Sequence, residues 1–373
     1  MEETAPQVRV GALALELTRY CNQKCDYCYN EFRDAPAATP RGEDRWPARV
    51  KRLLSAFDIG HVTLTGGEPM AYRGVFDLLG MLRASGVPTQ LISNGGLFDD
   101  ALAARLATFS PRSIQVTLNA DTPQLHDELV GGAGHFERTL KGIAALRRHA
   151  VTVVGCMVVN RKNAHRTAEV LARFRELGVQ QVALSRFSPA GYSTRHAAKL
   201  LPGREHLLAC FEAALPFAKG GMRLQCTMPV PPCAVEVERY APIRFGGCAI
   251  GTSAQEFAVG PDGRMRNCTL HGHVISQAGD VADPAVDLHA LVRSSDVTGY
   301  RRKIPPFCRG CLYEDSCAGG CGAAASWVHS GVHGEHPDPF VGQYVDEGFA
   351  RALARVRSDP PAASRRRRLD VIL

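Results

Sequence analysis

Three cysteines stand close together near the start of the chain: Cys21, Cys25 and Cys28, with Tyr27 just before the last. Three thiolates in one loop can wrap three irons of a cubane iron–sulfur cluster and leave the fourth iron open to another ligand. A zinc site would ask for a fourth protein ligand and for paired C-x₂-C knuckles. A second string, Cys308, Cys311, Cys317 and Cys321, lies toward the other end, with Cys248 and Cys268 upstream of it. In isolation that string would also suit a zinc ribbon. Between the two sets, Thr65-Gly66-Gly67-Glu68-Pro69 puts a carboxylate directly after two glycines. Glycines let a backbone approach a ligand closely, and Glu68 can accept a charge-assisted hydrogen bond from an ammonium group.

Composition narrows the classes. With 373 residues, 45% hydrophobic and 22% charged, the chain is long enough for one large domain or two ordinary ones. No run approaches the ~20 apolar residues of a membrane span. The opening MEETAPQVRV has no apolar core, so it does not read as a secretory signal, and a cytoplasmic location is expected. In a reducing compartment, thirteen cysteines, most of them clustered, point to metal or redox chemistry rather than to disulfides. Cys156 and Cys210 fall outside the sets and read as small buried hydrophobes. Much of the net charge of +7 comes from Arg365 to Arg368, a basic tail after Pro360-Pro361. It reads as a solvated end, and nucleic acid is not expected as a partner.

The elements that must position these residues follow from periodicity. Short apolar runs predict strands at Leu13–Leu17, His61–Thr65, Thr89–Ile92, Ser113–Leu118, Val151–Val158 and Gln181–Ser185. Amphipathic stretches between them predict helices at Asp44–Phe57, Val75–Ala84, Asp99–Thr108, Phe136–His149 and Ala164–Leu177, with Asp99 or Asp100 and Asn163 as N-caps. Strands alternating with helices imply parallel pairing, in a partial (β/α)₆ barrel or an open doubly wound sheet. Either one gathers ligands at the C-terminal ends of its strands, where the motifs fall. After Pro202 the alternation stops. A helix near Glu205–Ala218 leads into a region rich in Cys, Gly and Pro, with a hairpin of Gln255–Val259 and Arg264–Asn267 around Gly260-Pro261-Asp262-Gly263. Metal ligation would supply the core that such a region lacks.

The triad and the Gly-Gly-Glu-Pro segment together resemble the radical S-adenosylmethionine (SAM) superfamily, over nearly the whole chain. The resemblance implies an α/β fold, a partial (β/α)₆ TIM-type barrel over residues 1–202. It also implies that Cys21, Cys25 and Cys28 hold a [4Fe–4S] cluster whose free iron chelates the methionine end of SAM. Reductive cleavage would then give a 5′-deoxyadenosyl radical that takes hydrogen from substrate. By the same likeness Gly66, Gly67 and Glu68 bind the SAM methionine, and Tyr27 packs near the adenine. Ser93-Asn94-Gly95 stands where relatives often read Thr-Asn-Gly. Thr117-Leu118-Asn119 stands where they read Ser-Leu-Asp, so Asn119 is a departure. Asn160 and Arg186 also follow strands at positions that line the SAM site in relatives. Leu125 through Phe136 reads as loop and cap. His126, Tyr192 and Glu256 are unranked candidates for a general base.

The C-terminal cysteines resemble the SPASM domain, an extension with up to two auxiliary [4Fe–4S] clusters, here over residues 247–350 after a bridging segment, 203–246, and before the basic tail, 351–373. The resemblance implies that Cys248, Cys268 and Cys321 share the first auxiliary cluster with one upstream cysteine, Cys233 or Cys226. It implies that Cys308, Cys311 and Cys317 hold the second with a cysteine downstream. Relatives commonly end Asp-Pro-x-Cys, whereas here the text is Pro337-Asp338-Pro339-Phe340-Val341 and no cysteine follows Cys321. Asp338, His336 or His333 is then a candidate replacement, beside an open iron or a lost second cluster. Gly319-Gly320 suits a chain wrapped around a cluster.

Most relatives of this kind modify a ribosomally made peptide by crosslinking, epimerisation or oxidation, and that is the expected function. The alternatives are a dehydrogenase or epimerase of a small molecule such as a sugar or aminocyclitol, and a non-catalytic iron–sulfur or zinc scaffold. Expected partners are the substrate, an electron donor such as flavodoxin or ferredoxin, and a separate leader-peptide-binding protein. The triad begins only about twenty residues into the chain, without the leader-peptide recognition domain that some peptide modifiers carry; this weakens the peptide reading without removing it, because such a domain can be a separate protein.

Overall fold

Strands buried on both faces read as continuous apolar runs, and such runs build the frame here. The computed structural model describes residues 8–34, 45–275, 279–300, 303–329 and 334–344. The six expected strands are β1 (Val8–Glu16), β2 (Phe57–Thr65), β3 (Thr89–Ser93), β4 (Ser113–Thr117), β5 (Val153–Val159) and β6 (Gln181–Arg186). All pair in parallel in chain order. The helices that return the chain are α1 (Trp46–Ala56), α2 (Val75–Ala84), α3 (Asp100–Ala107), α4 (Pro123–Val130), α5 (His135–Arg148) and α6 (Thr167–Glu176). Leu13, Leu64, Leu91, Ile114, Met157 and Leu184 are fully buried in the sheet, and Leu78, Leu106, Ile143 and Phe174 cover it from the helices.

Local signals held where their chemistry is local. Asp99 caps α3 by accepting from the Leu102 N–H at 2.8 Å. Asn163 stands at the N-cap position of the short helix Ala164–Arg166 but makes no side-chain capping bond; its side chain binds the Asn160 N–H and the Asn119 and Val158 carbonyls. The stretch read as loop and cap contains α4, which ends on Gly131 at φ +75°. Within it, Asp127 does cap, accepting from the Gly134 and Phe136 N–H groups ahead of α5.

The sheet does not end at the sixth strand. Helix Arg204–Lys219 leads into β7 (Arg223–Cys226), which pairs in parallel with β6, and β8 (Arg244–Phe245) follows it. The expected hairpin forms as β9 (Glu256–Val259) and β10 (Met265–Arg266), antiparallel around Gly263 at φ +81°. What periodicity did not show is that β9 also pairs in parallel with β1, Ala12 opposite Glu256 through Leu15 opposite Val259. The ten strands thus form one sheet, ordered β10-β9-β1-β2-β3-β4-β5-β6-β7-β8. Buried Glu16, at the end of β1, pairs with Arg266 of β10, and Arg49 of α1 pairs with Asp280 at 2.9 Å. Among the described residues, no helix is long and apolar enough to cross a membrane. The basic tail, 351–373, lies outside the described residues.

Candidate functional site

The loop after β1 carries the cysteine triad, and the loop after β2 is zipped to it. The Gly67 N–H donates to the Thr18 carbonyl at 2.7 Å, and the Glu68 N–H donates to the Tyr20 carbonyl at 2.8 Å. A Cβ on Gly67 would stand 2.0 Å from the Tyr20 oxygen, and Gly66 adopts φ +124°. The two glycines are therefore needed for the approach of one loop to another, the triad's own. This differs from the sequence reading, in which they approach a ligand. Replacing Gly67 with alanine must push the backbone beside Cys21 aside. The expected outcome is a folded chain with a defective triad loop, seen as loss of roughly half or more of the iron bound at that loop after anaerobic reconstitution.

Glu68 is fully buried, and every group that meets its carboxylate is a donor. Oε1 accepts from the Ser93 hydroxyl at 2.8 Å and the Met70 N–H at 3.1 Å, and Oε2 accepts from the Asn94 N–H at 2.9 Å. Three donors suit the ionised form, yet burial outweighs them and lifts the carboxyl to about 7. Asn94 links this carboxylate to the triad: its side-chain amide donates to Asn22 Oδ1 at 2.6 Å and points at Cys21 Sγ at 3.8 Å. Asn22, the residue that completes this link, carried no signal in the sequence beyond its place inside the triad.

Burial pushes Cys21 up to about 12 and Cys28 to about 11, and raises Cys25 well above an ordinary thiol; Glu68 and then Cys28 add to the rise at Cys21, and Cys21 and Cys28 add to it at Cys25. Thiolates so placed need a nearby positive charge to offset desolvation, and iron supplies one. The sulfurs are also met by N–H donors, as thiolates bound to iron are: Cys21 by Gln23 at 3.4 Å, Cys311 by Tyr313 at 3.5 Å and Cys321 by Ala324 at 3.5 Å. Among the described residues, no group of three His, Cys, Asp or Glu side chains could hold a metal ion. Zinc would need four ligands converging on one atom, whereas in a cubane each thiolate takes a different iron.

Of the other residues singled out, Asn119 and Asn160 follow β4 and β5 at the C-terminal edge of the sheet. Asn119 Oδ1 accepts from the Val158 N–H at 2.8 Å. Asn160 bonds the Val158 carbonyl and the Lys162 N–H, both at 2.9 Å. Tyr27 packs on a small cluster of Leu129, Phe187 and Leu200. Arg186 departs from expectation: its guanidinium forms a buried pair with Asp338 at 2.5 and 3.3 Å, and Nε donates to the Pro229 carbonyl. This ties β6 to the C-terminal segment and occupies the groups a SAM carboxylate would use. Of the candidate bases, His126 accepts from the Asn119 N–H at 3.2 Å, and burial lowers it to about 4. Tyr192 lies between Arg33 and Arg195. Glu256 accepts from Thr63 at 2.5 Å, beside the middle of β1 rather than at its end.

The C-terminal string is split in space. Ala318, Gly319 and Gly320 all have positive φ, 48°, 81° and 85°, so the chain reverses between Cys317 and Cys321. Cys321 packs with Cys268, and the Tyr300 hydroxyl lies among Cys268, Cys248 and Cys321, which with burial raise it well above the usual range. Cys308, Cys311 and Cys317 line a separate cavity. Of the proposed replacements for a last cysteine, Asp338 is bound by Arg186 and by the Cys321 and Phe340 N–H groups. His336 stacks on His329 at 4.2 Å. His333 lies outside the described residues. Counting Asp-Pro-x-Cys from Asp338 puts Val341, not Phe340, at the cysteine position; Val341 faces the cavity while Phe340 is fully buried.

Comparison with known proteins agrees with this arrangement. Residues 15–174 match the family model described as the radical SAM superfamily. The PqqA peptide cyclase of Gluconobacter oxydans (strain 621H) is 27% identical over 351 residues, 92% of this chain and 94% of that protein. That of Rhodopseudomonas palustris (strain ATCC BAA-98 / CGA009) is 23% identical over 93% of this chain and 91% of that protein. Among solved structures, Streptococcus suis SuiB bound to precursor peptide SuiA aligns with a TM-score of 0.68 at 16% identity, over 88% of this chain and 75% of that one. Native anSMEcpe with bound AdoMet and Cp18Cys peptide aligns with a TM-score of 0.67 at 17% identity, over 95% of this chain and 99% of that one. The triad loop, the buried Glu68 and strands β2 to β5 all lie within the residues that match the radical SAM superfamily model, so this part of the chain is similar to that superfamily.

Proposed function

We propose that this enzyme modifies a ribosomally made peptide by radical chemistry, with Cys21, Cys25 and Cys28 holding the SAM-binding cluster. The observation that carries the site assignment is Glu68: a buried carboxylate met only by donors, joined through Asn94 to the triad. When bound, the cluster and SAM supply a 5′-deoxyadenosyl radical. The chain's own part is to hold the three thiolates in one loop, to offer Glu68 to the methionine ammonium, and to fix Glu68 through Ser93, Asn94 and the Met70 N–H. Supporting the peptide reading, relatives named as peptide cyclases align over nearly their whole length. The C-terminal cysteines fit auxiliary clusters, residues 203–246 bridge to them, and an outside electron donor such as flavodoxin or ferredoxin would reduce the first cluster.

The test is anaerobic reconstitution with dithionite, SAM and the short peptides encoded beside the gene. 5′-Deoxyadenosine that acquires deuterium from a labelled peptide supports the proposal. Label arriving only from a sugar or aminocyclitol would overturn the peptide reading, and no 5′-deoxyadenosine at all would overturn the assignment of the site.

Glu68 also sets a pH dependence. Its carboxyl lies at about 7 before ligand binds, and an ammonium prefers the ionised form. SAM affinity is therefore expected to be full above pH 7 and to weaken as pH falls, by about tenfold per unit once well below it. Titration calorimetry between pH 6 and 8.5 checks this. The slope should vanish in Glu68→Gln, whose affinity is weak throughout. A flat profile in the unaltered enzyme would remove Glu68 from that role.

A further inference from the structure

Cys233 is one of the two upstream cysteines that the resemblance offered to the first auxiliary set. It was a candidate for the cluster of Cys248, Cys268 and Cys321, but it lines the other cavity, together with Cys308, Cys311 and Cys317. The thiols of Cys317, Cys311 and Cys308 are close enough to act on it electrostatically. Four thiols from separate segments thus meet one space: Cys233 follows Pro231-Pro232, two come from the Cys308–Cys311 turn, and Cys317 precedes the left-handed reversal at Ala318. Position 341, where a downstream thiol would enter, is valine. Asp338 is held by Arg186. Glu314 also lines the cavity, but its carboxylate caps the Gly310 N–H within its own turn. Cys226 lies apart, buried in β7 with its thiol directed to the Met228 carbonyl at 3.5 Å.

We propose that Cys233 is the fourth ligand of the second auxiliary cluster, closing a set of four thiolates with Cys308, Cys311 and Cys317 and taking the place of the absent downstream cysteine. This rests on the reading of the C-terminal cysteines as cluster ligands. It also makes the second cluster fully ligated by the protein, which suits electron transfer rather than substrate binding. With all four irons held by thiolates, none is open to a substrate atom.

The experiment uses the full chain with Cys21, Cys25 and Cys28 all changed to alanine, so that only auxiliary iron is counted. After anaerobic reconstitution it should hold about eight irons in two cubanes. Adding Cys233→Ala should lower this to about seven, with the electron paramagnetic resonance signal of an oxidised three-iron cluster, or to about four if the cluster is lost. Adding Val341→Cys to that variant, at another position lining the same cavity, should restore about eight. That rescue separates loss of a ligand from a failure to fold. Glu314→Gln should leave the count unchanged. Retention of about eight irons and an unchanged Mössbauer spectrum in Cys233→Ala would overturn the proposal. So would zinc in the cavity with iron only in the first set. A background chain holding no iron would overturn the auxiliary-cluster reading itself, and this inference with it.

Discussion

Changing Cys25 to alanine is expected to abolish 5′-deoxyadenosine formation, a loss of roughly a thousandfold or more, or about 4 kcal/mol on the barrier. The argument is geometric. Cys25 is the middle thiol of the triad, and its sulfur is raised first by burial and then by Cys21 and Cys28. Two remaining thiolates cannot hold three irons of a cubane and leave one free for SAM. Iron content should fall by up to about four per chain, and the iron held by the C-terminal cysteines should stay. The fold should survive, because the triad lies in a loop outside the regular elements and is pinned by main-chain bonds from Gly67 and Glu68 to Thr18 and Tyr20. Unchanged circular dichroism with lost product is the expected pair of readings. Product formed at the original rate would remove the triad from its assigned role.

The second large effect concerns stability. Arg186 and Asp338 are both fully buried and bond in a two-point pair, with the Cys321 and Phe340 N–H groups as further donors to the same carboxylate. Asp338→Ala strands a buried guanidinium and two N–H groups. The expected cost is about 3–5 kcal/mol, read as a fall of roughly 5–10 °C in the melting midpoint. A paired change, Arg186→Met with Asp338→Leu, removes both charges and should recover much of that loss. The same pair of changes tests the role that the resemblance implied for Arg186. If its guanidinium serves Asp338 rather than SAM, the paired variant should bind SAM within about threefold of the original, a difference under 1 kcal/mol. A hundredfold loss of affinity with the melting point restored would return Arg186 to the SAM site.

Much of the barrel was legible in the chain, because its signals are local. Strands β2 to β6 and their helices follow from apolar runs and i, i+3, i+4 spacings, and Val75–Ala84 agrees to the residue. The triad and Thr65 to Pro69 are each contained in a few residues, so their spacing already specifies the loop geometry. Asp99 caps the helix it was expected to cap because such a cap needs only its own turn. The glycines were recognised for the right conformational reason, but their neighbour was misread: a Cβ on Gly67 meets Tyr20, not a ligand.

The sequence by itself determined that thiolates and a carboxylate would gather at strand ends, since in a parallel sheet every loop after a strand opens on the same edge. Tertiary structure alone decided which distant residues share a site. Arg186 and Asp338 are 152 positions apart, and Glu16 and Arg266 are 250 apart. No periodicity encodes such pairs; they follow from β9 lying beside β1 and from the reversal at Ala318-Gly319-Gly320. The same reversal separates Cys317 from Cys321, and Cys233 lines the cavity of the second set, where the downstream position 341 is a valine. Spacing along the chain reports how a loop can bend, whereas membership of a site depends on which loops the packed core brings together.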